Sequence, residues 1–478
     1  MTNITRRRFF EQSILATAAA ATLPAGVSSA EPTPSSPNNK IAVAIIGCGI
    51  RGKQHAAELI RLPDCEIVCV CDPDRDRATA LAEEIAAKNR PRPRAVQDLR
   101  QILDDKSSAA VFIATPNHWH ALAAVWAMRA GKDVYVEKPV SHNISEGRQI
   151  VQTARKLGRM CQTGTQNRSN GALVEAIRYI HDGKLGEVKL ARSIVYGRRG
   201  SIGGPGQYQV PANVDYNLWA GPAPMSPLTR PQFHYDWHWF WSTGNGELGN
   251  NNIHSTDVCR WGLNVAGLGR TAISYGGRFG YVDAAETPNT QVVIHDFGSK
   301  TLITETRGLK TEPFHPNYTG GWIFYGTEGI IAGTSLFDLQ GKLVRTFKGP
   351  SESHFANFLK AVRSRKISDL HADILEGHQS TALCHVGNIS YRLGHPTPAS
   401  GIAGLSGFKS SDEAAETFER TRQHLVDNNV DLEKSKLIMG PLLQIDSAKE
   451  KFVNNPAANA FLTREYRQPF VLPVEREV

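Results

Sequence analysis

The glycines at 47, 49 and 52 constrain this chain more than any other feature. Gly47-Cys48-Gly49-Ile50-Arg51-Gly52 follows the apolar run Ile41–Ile46 and precedes a helical pattern over His55–Arg61. A second β-rich run, Glu66–Cys71, ends at Asp72, twenty residues beyond the last glycine. That spacing is the βαβ signature of a dinucleotide-binding unit. Gly47 permits the tight turn, Gly49 lets backbone approach a pyrophosphate, and Gly52 lets helix and strand pack closely. The helix N-terminus, with Ile50 and Arg51 in its first turn, directs backbone N–H groups at the phosphates. Asp72 is placed to accept hydrogen bonds from ribose hydroxyls. A carboxylate there repels a 2′-phosphate, which favours NAD over NADP, and Arg75 or Arg51 would soften that preference.

Strand and helix signals keep alternating as far as Asp133–Glu137, with helices near 75–89, 97–104 and 119–130 and a strand at Ala109–Ala114. Such alternation predicts a doubly wound parallel sheet, an α/β Rossmann domain over residues 40–160. The texture then changes. Leu185–Tyr196, Arg270–Phe279, Thr290–Phe297, Thr301–Arg307 and Trp322–Tyr325 are strand-like, and helical patterns fall at 171–182, 252–263, 352–365 and 373–393. They predict an α+β domain over 161–395 with a large, mostly antiparallel open sheet. Residues 396–478 form a C-terminal extension of Ser/Gly-rich and charged amphipathic stretches, expected to pack across the other domains.

Charge argues against a nucleic-acid partner. The formal net charge is +8, yet Arg6–Arg8 is the longest basic run in the 478 residues and no nucleic-acid reading motif accompanies it. That run belongs to Thr5-Arg6-Arg7-Arg8-Phe9-Phe10, a twin-arginine pattern. An Ala-rich apolar stretch, Ile14–Leu23, follows, with small residues at Ser28 and Ala30. The apolar stretch is well short of the roughly 20 residues a membrane span needs, so stable membrane insertion is not expected. Residues 1–30 therefore look like a Tat export signal, joined by a Pro/Ser linker over 31–39, and imply an extracytoplasmic, periplasmic location. The seven cysteines are odd in number and include no CxxC pair, which suits buried thiols better than disulfides or metal ligands.

Two further motifs fall in register with the first domain. Ala114-Thr115-Pro116-Asn117-His118-Trp119-His120 closes one strand and Glu137-Lys138-Pro139 closes the next. The combination closely resembles the Gfo/Idh/MocA family, named for glucose–fructose oxidoreductase, inositol dehydrogenase and a rhizopine-catabolism protein. Trp219-Ala220-Gly221-Pro222-Ala223-Pro224, Gly326-Thr327-Glu328-Gly329 and Asn250-Asn251-Asn252-Ile253-His254-Ser255-Thr256-Asp257 also fit. The resemblance spans about residues 40–395, and the texture is similar to Tat-exported members common in planctomycete-type bacteria.

The resemblance implies that Glu137-Lys138-Pro139 lies beside the nicotinamide, commonly with a cis peptide before Pro139, and that Lys138 meets the reacting hydroxyl. The chemistry agrees: hydride leaves a carbinol carbon only as its hydroxyl loses a proton, and a nearby ammonium stabilises the developing alkoxide. Thr115, Pro116, Asn117 and His120 are expected against the cofactor, with His118 lining the same pocket. In the family a helix of the second domain often offers an Asp-x-x-x-His pair to the substrate, and a spacing of four puts both on one face. Here His254 is present but Asn250 stands four before it. Asn250 can orient a hydroxyl and cannot transfer a proton, while Asp257 could orient the imidazole. Gln166 and Arg168 follow a strand where the family places polar substrate contacts, although a structural salt bridge suits Arg168 as well. Trp219 is a further candidate. The resemblance also implies a homo-oligomer, a dimer or tetramer, formed through the open face of the second sheet.

Phe233-His234-Tyr235-Asp236-Trp237-His238-Trp239-Phe240-Trp241 is the densest aromatic segment. If extended, its odd-numbered aromatics share one face and His234, Asp236 and His238 the other. Aromatic faces stack on a pyranose, which suggests Tyr235 and His238 as substrate contacts; an aromatic core stripe is the plainer alternative. The leading expectation is an NAD(P)-dependent oxidoreductase acting on a hydroxyl of a sugar, cyclitol or glycoside, through Lys138 and His254, with a tightly held cofactor. The alternatives are an NAD-dependent glycosidase that oxidises, eliminates, hydrates and reduces again, and a non-catalytic cofactor-binding protein.

Overall fold

Val, Ile and Cys dominate the first strands, and such runs must be covered on both faces. In the computed structural model, which describes residues 40–318, 320–398 and 411–473, they are. The expected export signal and linker lie outside the described residues. Strands β1 (Ile41–Ile46), β2 (Cys65–Cys71), β3 (Arg94–Val96), β4 (Ala110–Ile113), β5 (Asp133–Val136) and β6 (Cys161–Thr163) form one parallel sheet in the order β3-β2-β1-β4-β5-β6. Chain order reverses between β1 and β4, and a crevice opens at such a switch point, beyond the C-terminal strand ends.

Helices α1 (Ile50–Leu59) and α2 (Arg75–Ala86) cover one face, α3 (Asn117–Arg129) and α4 (Ile144–Lys156) the other. Asp74 caps α2 by accepting from Asp76 N and Arg77 N at 3.0 and 3.2 Å. The first sheet does not stop at the expected boundary of 160. β6 belongs to it, and Phe355 and Phe358 pack into its core, bringing a segment from late in the chain onto the first domain.

The second domain is the expected mostly antiparallel sheet. Its centre is β7 (Val188–Tyr196), β8 (Thr271–Gly277), β9 (Thr290–Asp296), β10 (Thr301–Arg307) and β11 (Gly321–Gly326), with β7 and β10 as a parallel pair. Short strands extend both edges: β12 (Gly329–Ala332), β13 (Ser335–Phe337) and β14 (Leu343–Thr346) on one, β15 (His395–Thr397), β16 (Leu437–Met439) and β17 (Leu443–Asp446) on the other. Helices α5 (Gly171–His181), α6 (Ile253–Leu263) and α8 (Ile374–Arg392) bury one face, Leu173, Val258 and Leu383 packing against Leu302 and Phe324. The intervening helix α7 is His354–Ser364.

The C-terminal extension packs across both domains. Helix α9 (Ser411–Asp427) lays Ala414, Phe418 and Leu425 on the opposite sheet face, against Ile273 and Tyr275. It thus covers part of the face expected for subunit contacts. Further on, Phe470 packs edge-on against Trp119 at 5.5 Å, and Arg464 donates to His118 O at 2.9 Å. All seven cysteines are buried and free. Among the described residues no helix is long and apolar enough to cross a membrane.

Candidate functional site

The turn from β1 into α1 has the shape its glycines predict. Gly47 has φ +97°, and a Cβ there would sit 2.6 Å from Ala114 O; a Cβ on Gly52 would sit 1.8 Å from Gly47 O. Asp72 follows β2 with its carboxylate fixed from two sides, accepting from Cys48 N at 2.8 Å and Asp74 N at 2.9 Å. Burial pushes its pKa up.

Beyond these strand ends lies a cavity of about 290 Å³. Gly47, Gly49, Ile50, Arg51 and Asp72 line it from the first βαβ unit. Thr115, Pro116, Asn117 and His120 line it after β4, Glu137 and Lys138 after β5. Trp219, Tyr235, His238 and Asn250 close it from the second domain. The wall suits a dinucleotide on its own terms: the glycines leave room for backbone approach, Asp72 offers a held carboxylate, and Thr115 Oγ1 is buried without a hydrogen-bond partner.

Glu137 organises the floor. Its carboxylate accepts from Arg51 Nε at 2.7 Å and Gln166 Nε2 at 3.1 Å, and lies 2.9 Å from His55 Nε2. Burial opposes its charge, but the Arg51 guanidinium and the His55 hydrogen bond outweigh that and hold its pKa well below the usual carboxylate range. Lys138 follows, joined to Pro139 by a cis peptide. Its half-buried Nζ donates to Asn250 O at 2.5 Å. Burial draws its pKa down to about 8, against the attraction of Glu137.

Asn250 lies in a π-helical turn, Leu248–Asn252, that leads into α6, so Asn250 and His254 are not one regular α-helical turn apart. Such π turns are frequent at functional sites. The Asn250 amide donates to Glu247 Oε2 at 3.3 Å, which leaves the backbone carbonyl as the group facing Lys138. His254 is half-buried and makes no side-chain hydrogen bond among the described residues. Burial, then the Lys138 charge, lower its pKa to about 3, so its ring is neutral.

Several expected site residues take other roles. Arg168 and Asp257 bind each other: Nε to Oδ2 and Nη2 to Oδ1, both at 2.8 Å and both fully or almost fully buried. Ser380 Oγ also donates to Asp257, at 2.7 Å. Asp257 therefore does not orient His254, and neither residue reaches the cavity. Gln166 supports Glu137 and Tyr135 OH from behind. Gly52 serves packing, and Pro139 holds His120, whose Nδ1 lies 2.6 Å from Pro139 O. His118 does not line the cavity; its ring joins α3 to the second domain, 2.9 Å from Trp219 O and 3.3 Å from Thr243 O. Arg51 is held by Glu137, and Arg75 pairs with Asp76 at 3.7 Å away from the cavity. Arg77 joins Arg51 at the nucleotide wall, its Nη1 3.0 Å from where a Gly49 Cβ would stand.

The aromatic segment is not extended. Asp236–Trp239 is a 3-10 turn, so the two-face alternation does not form. Phe233, Trp239 and Phe240 are buried, whereas Tyr235, Trp237 and His238 face the cavity, with the Trp237 and His238 rings stacked at 3.6 Å. His234 also lines the cavity, its Nε2 2.9 Å from Asp74. Sequence reasoning missed Arg77, Trp237 and Glu247. Arg77 was findable, since it falls in the first turn of the helix after Asp72.

Residues 41–165 match the model of an oxidoreductase family with an NAD-binding Rossmann fold, and residues 204–416 match its C-terminal alpha/beta domain. Scyllo-inositol 2-dehydrogenase (NAD(+)) of Bacillus subtilis is 30% identical over 150 residues, 31% of this chain and 42% of that protein. An alpha-N-acetylgalactosaminidase of Shewanella oneidensis is 30% identical over 206 residues, 39% of this chain and 45% of that protein. The chain thus spans less than half the length of these curated relatives. The WlbA dehydrogenase of Bordetella pertussis, solved with NADH and UDP-GlcNAcA, shares the fold at 20% identity and a TM-score of 0.55, over 73% of this chain and 95% of that one. With both of its domain models matched across most of its length, the chain belongs to the Gfo/Idh/MocA oxidoreductase family.

Proposed function

We propose that this protein is an NAD-dependent oxidoreductase acting on a hydroxyl of a sugar, cyclitol or glycoside. The observation that carries this reading is Lys138, half-buried at the C-terminal end of β5, held by one carbonyl, with its pKa drawn down to about 8. A group in that range exchanges its proton near neutral pH, where general acid–base catalysis is most effective. A substrate hydroxyl beside Nζ gives its proton to the neutral amine, and the ammonium that results stabilises the oxygen as the C–H bond is broken. Nicotinamide, when bound, supplies the hydride acceptor. Asn250 O fixes Nζ, and the Glu137 carboxylate is held ionised below it. His254, whose ring is neutral and is not among the residues lining the cavity, is left out of the proton transfer.

In this reading Gly47, Gly49, Ile50 and Arg51 face the pyrophosphate and Asp72 the adenosine ribose, with Thr115, Pro116, Asn117 and His120 toward the nicotinamide. The Asp72 carboxylate supports NAD over NADP, with Arg77 as the opposing influence. Trp219, Tyr235 and His238 form the sugar wall. Export through the twin-arginine signal is part of the proposal, the cofactor travelling inside the folded protein and being retained there. So is a dimer or tetramer, although α9 narrows the sheet face available for it.

A redox-neutral glycosidase is the second reading, favoured by likeness to the Shewanella alpha-N-acetylgalactosaminidase. One experiment addresses both. The purified protein is denatured to identify its nucleotide, then supplied with sugars and aryl glycosides and the products analysed. Oxidised sugar with reduced nucleotide supports the dehydrogenase, and aglycone release without net reduction supports the glycosidase. Full turnover in Lys138→Ala would sink either mechanism.

A further inference from the structure

Behind Tyr235 lies a second cavity, of about 210 Å³, that the reading above leaves unused. Tyr235 lines both cavities and is 38% exposed, so its ring is their common wall. A second link runs along the floor. Lys138 Nζ donates to Asn250 O in the first cavity, and the Asn250 amide donates to Glu247, which lines the second.

The charges around this space nearly cancel. Arg199 pairs with Glu247 at 2.9 Å, and Arg278 pairs with Asp283 at 2.6 Å. Two charged groups of the lining are left over. Arg198 is exposed and makes no ion pair among the described residues. Asp236 is only 4% exposed, and its Oδ2 is buried with no hydrogen-bond partner. A buried carboxylate oxygen without a donor is costly, and such an atom signals a donor that arrives from outside. Arg230, outside the lining, is the opposite charge that acts most on Asp236, without bonding to it. With one carboxylate and one guanidinium lacking a bonded partner, the space favours neither an anion nor a cation. It suits a neutral ligand with several hydroxyls, which donate to Asp236, accept from Arg198, and present C–H edges to the Tyr235 ring.

We propose that this second cavity binds the neighbouring ring of a neutral glycoside whose reacting ring lies against Lys138. The inference rests on the sugar-oxidising reading and deepens it: the substrate is a disaccharide or longer glycoside, and Tyr235 stands where the two rings join. Asp236 is a specificity residue, with no part in proton transfer.

The test is a binding comparison on the intact, nucleotide-loaded protein by isothermal titration. The probes are methyl α- and β-glucoside, the disaccharides maltose and cellobiose, and a uronic-acid disaccharide. In the wild type, at least one neutral disaccharide is expected to bind about tenfold more tightly than its methyl glycoside. In Asp236→Asn that advantage is expected to vanish, the disaccharide losing tenfold or more while the methyl glycoside moves less than twofold. Arg198→Ala, on the exposed rim, is expected to cut the same advantage by severalfold and serves if Asp236→Asn does not fold. Equal losses for both probes, or none for either, would overturn the proposal, as would a preference for the uronic-acid disaccharide. If a methyl glycoside binds and the second ring adds nothing, only the second subsite falls. If no glycoside binds and only non-sugar alcohols reduce the nucleotide, the sugar reading falls with it.

Discussion

Lys132 and Lys138 flank the same four-residue strand, one immediately before β5 and one two residues after it, and they are held in contrasting ways. Lys132 Nζ donates to Asp105 O at 2.7 Å and to Ser108 O and Oγ at 2.9 Å each. An ammonium has three N–H groups, so all of its donors are matched. Lys138 Nζ has one such partner, Asn250 O, and faces the cavity with the remainder. Burial lowers both pKa values. What separates the two is unmatched donor capacity, together with position: the crevice of a doubly wound sheet opens only beyond the C-terminal strand ends.

The comparison is broken most directly by deleting each amine. Lys138→Met is expected to lower turnover about 10³-fold, within the usual range for a general acid–base group, with nucleotide content retained. Its unfolding free energy should stay within about 1 kcal/mol of wild type, because a poorly matched buried amine adds little stability. Steady-state rates and a urea titration check the two halves. The next largest effect falls on stability alone. Arg168→Ala removes the bidentate cation from the fully buried Asp257 carboxylate, leaving the Ser380 hydroxyl on it, and is expected to cost about 3–4 kcal/mol, read from the denaturation midpoint. Turnover per folded molecule should hold, since the pair does not reach the cavity; a collapse of turnover at full folding would return Arg168 to the site. Lys132→Met removes the donor from a half-buried carbonyl, a buried carbonyl and a buried hydroxyl, and about 2 kcal/mol of destabilisation is expected. Loss of activity there without loss of stability would erase the distinction between the two ends of β5.

Much of the first domain was legible because its signals are local. Gly47, Gly52, Asp72 and Glu137-Lys138-Pro139 each act through a turn or strand end that neighbouring residues determine. The central strands of the second sheet were legible too, since seven to nine residues suffice to show their pattern. Strands such as β13 and β16, three residues each, are too short for any alternation to register. The site's second domain was harder for a different reason. Arg168 and Asp257 lie 89 residues apart, and nothing near either announces the other. The segment 233–241 misled because alternation fits a strand only if the backbone is extended. Its 3-10 turn instead buries Trp239 and Phe240, with the Arg230 guanidinium 5.2 Å from the Phe240 ring.

The smallest effect comes from charges that influence Lys138 without touching it, and it sharpens the contrast most. Burial is the main cause of its lowered pKa, near 8; Glu137 and Glu247 pull the value back up, while Arg51 and Arg199 push it down. Under the proposed chemistry the neutral amine is the competent form, so the rate of oxidation rises with pH through that pKa and levels above it. Glu247→Gln removes a negative charge, makes the ammonium less favourable, and moves the rising limb to lower pH. Arg199→Gln removes a positive charge and moves it to higher pH. Each shift is expected to be about 0.3–0.5 pH unit, or roughly 0.5 kcal/mol. Because Glu247 and Arg199 are each other's partners at 2.9 Å, mere weakening of that contact would lower the plateau in both variants alike. Limbs that move in opposite directions tie the pH profile to the charge on Lys138; limbs that move together, or stay in place, detach it.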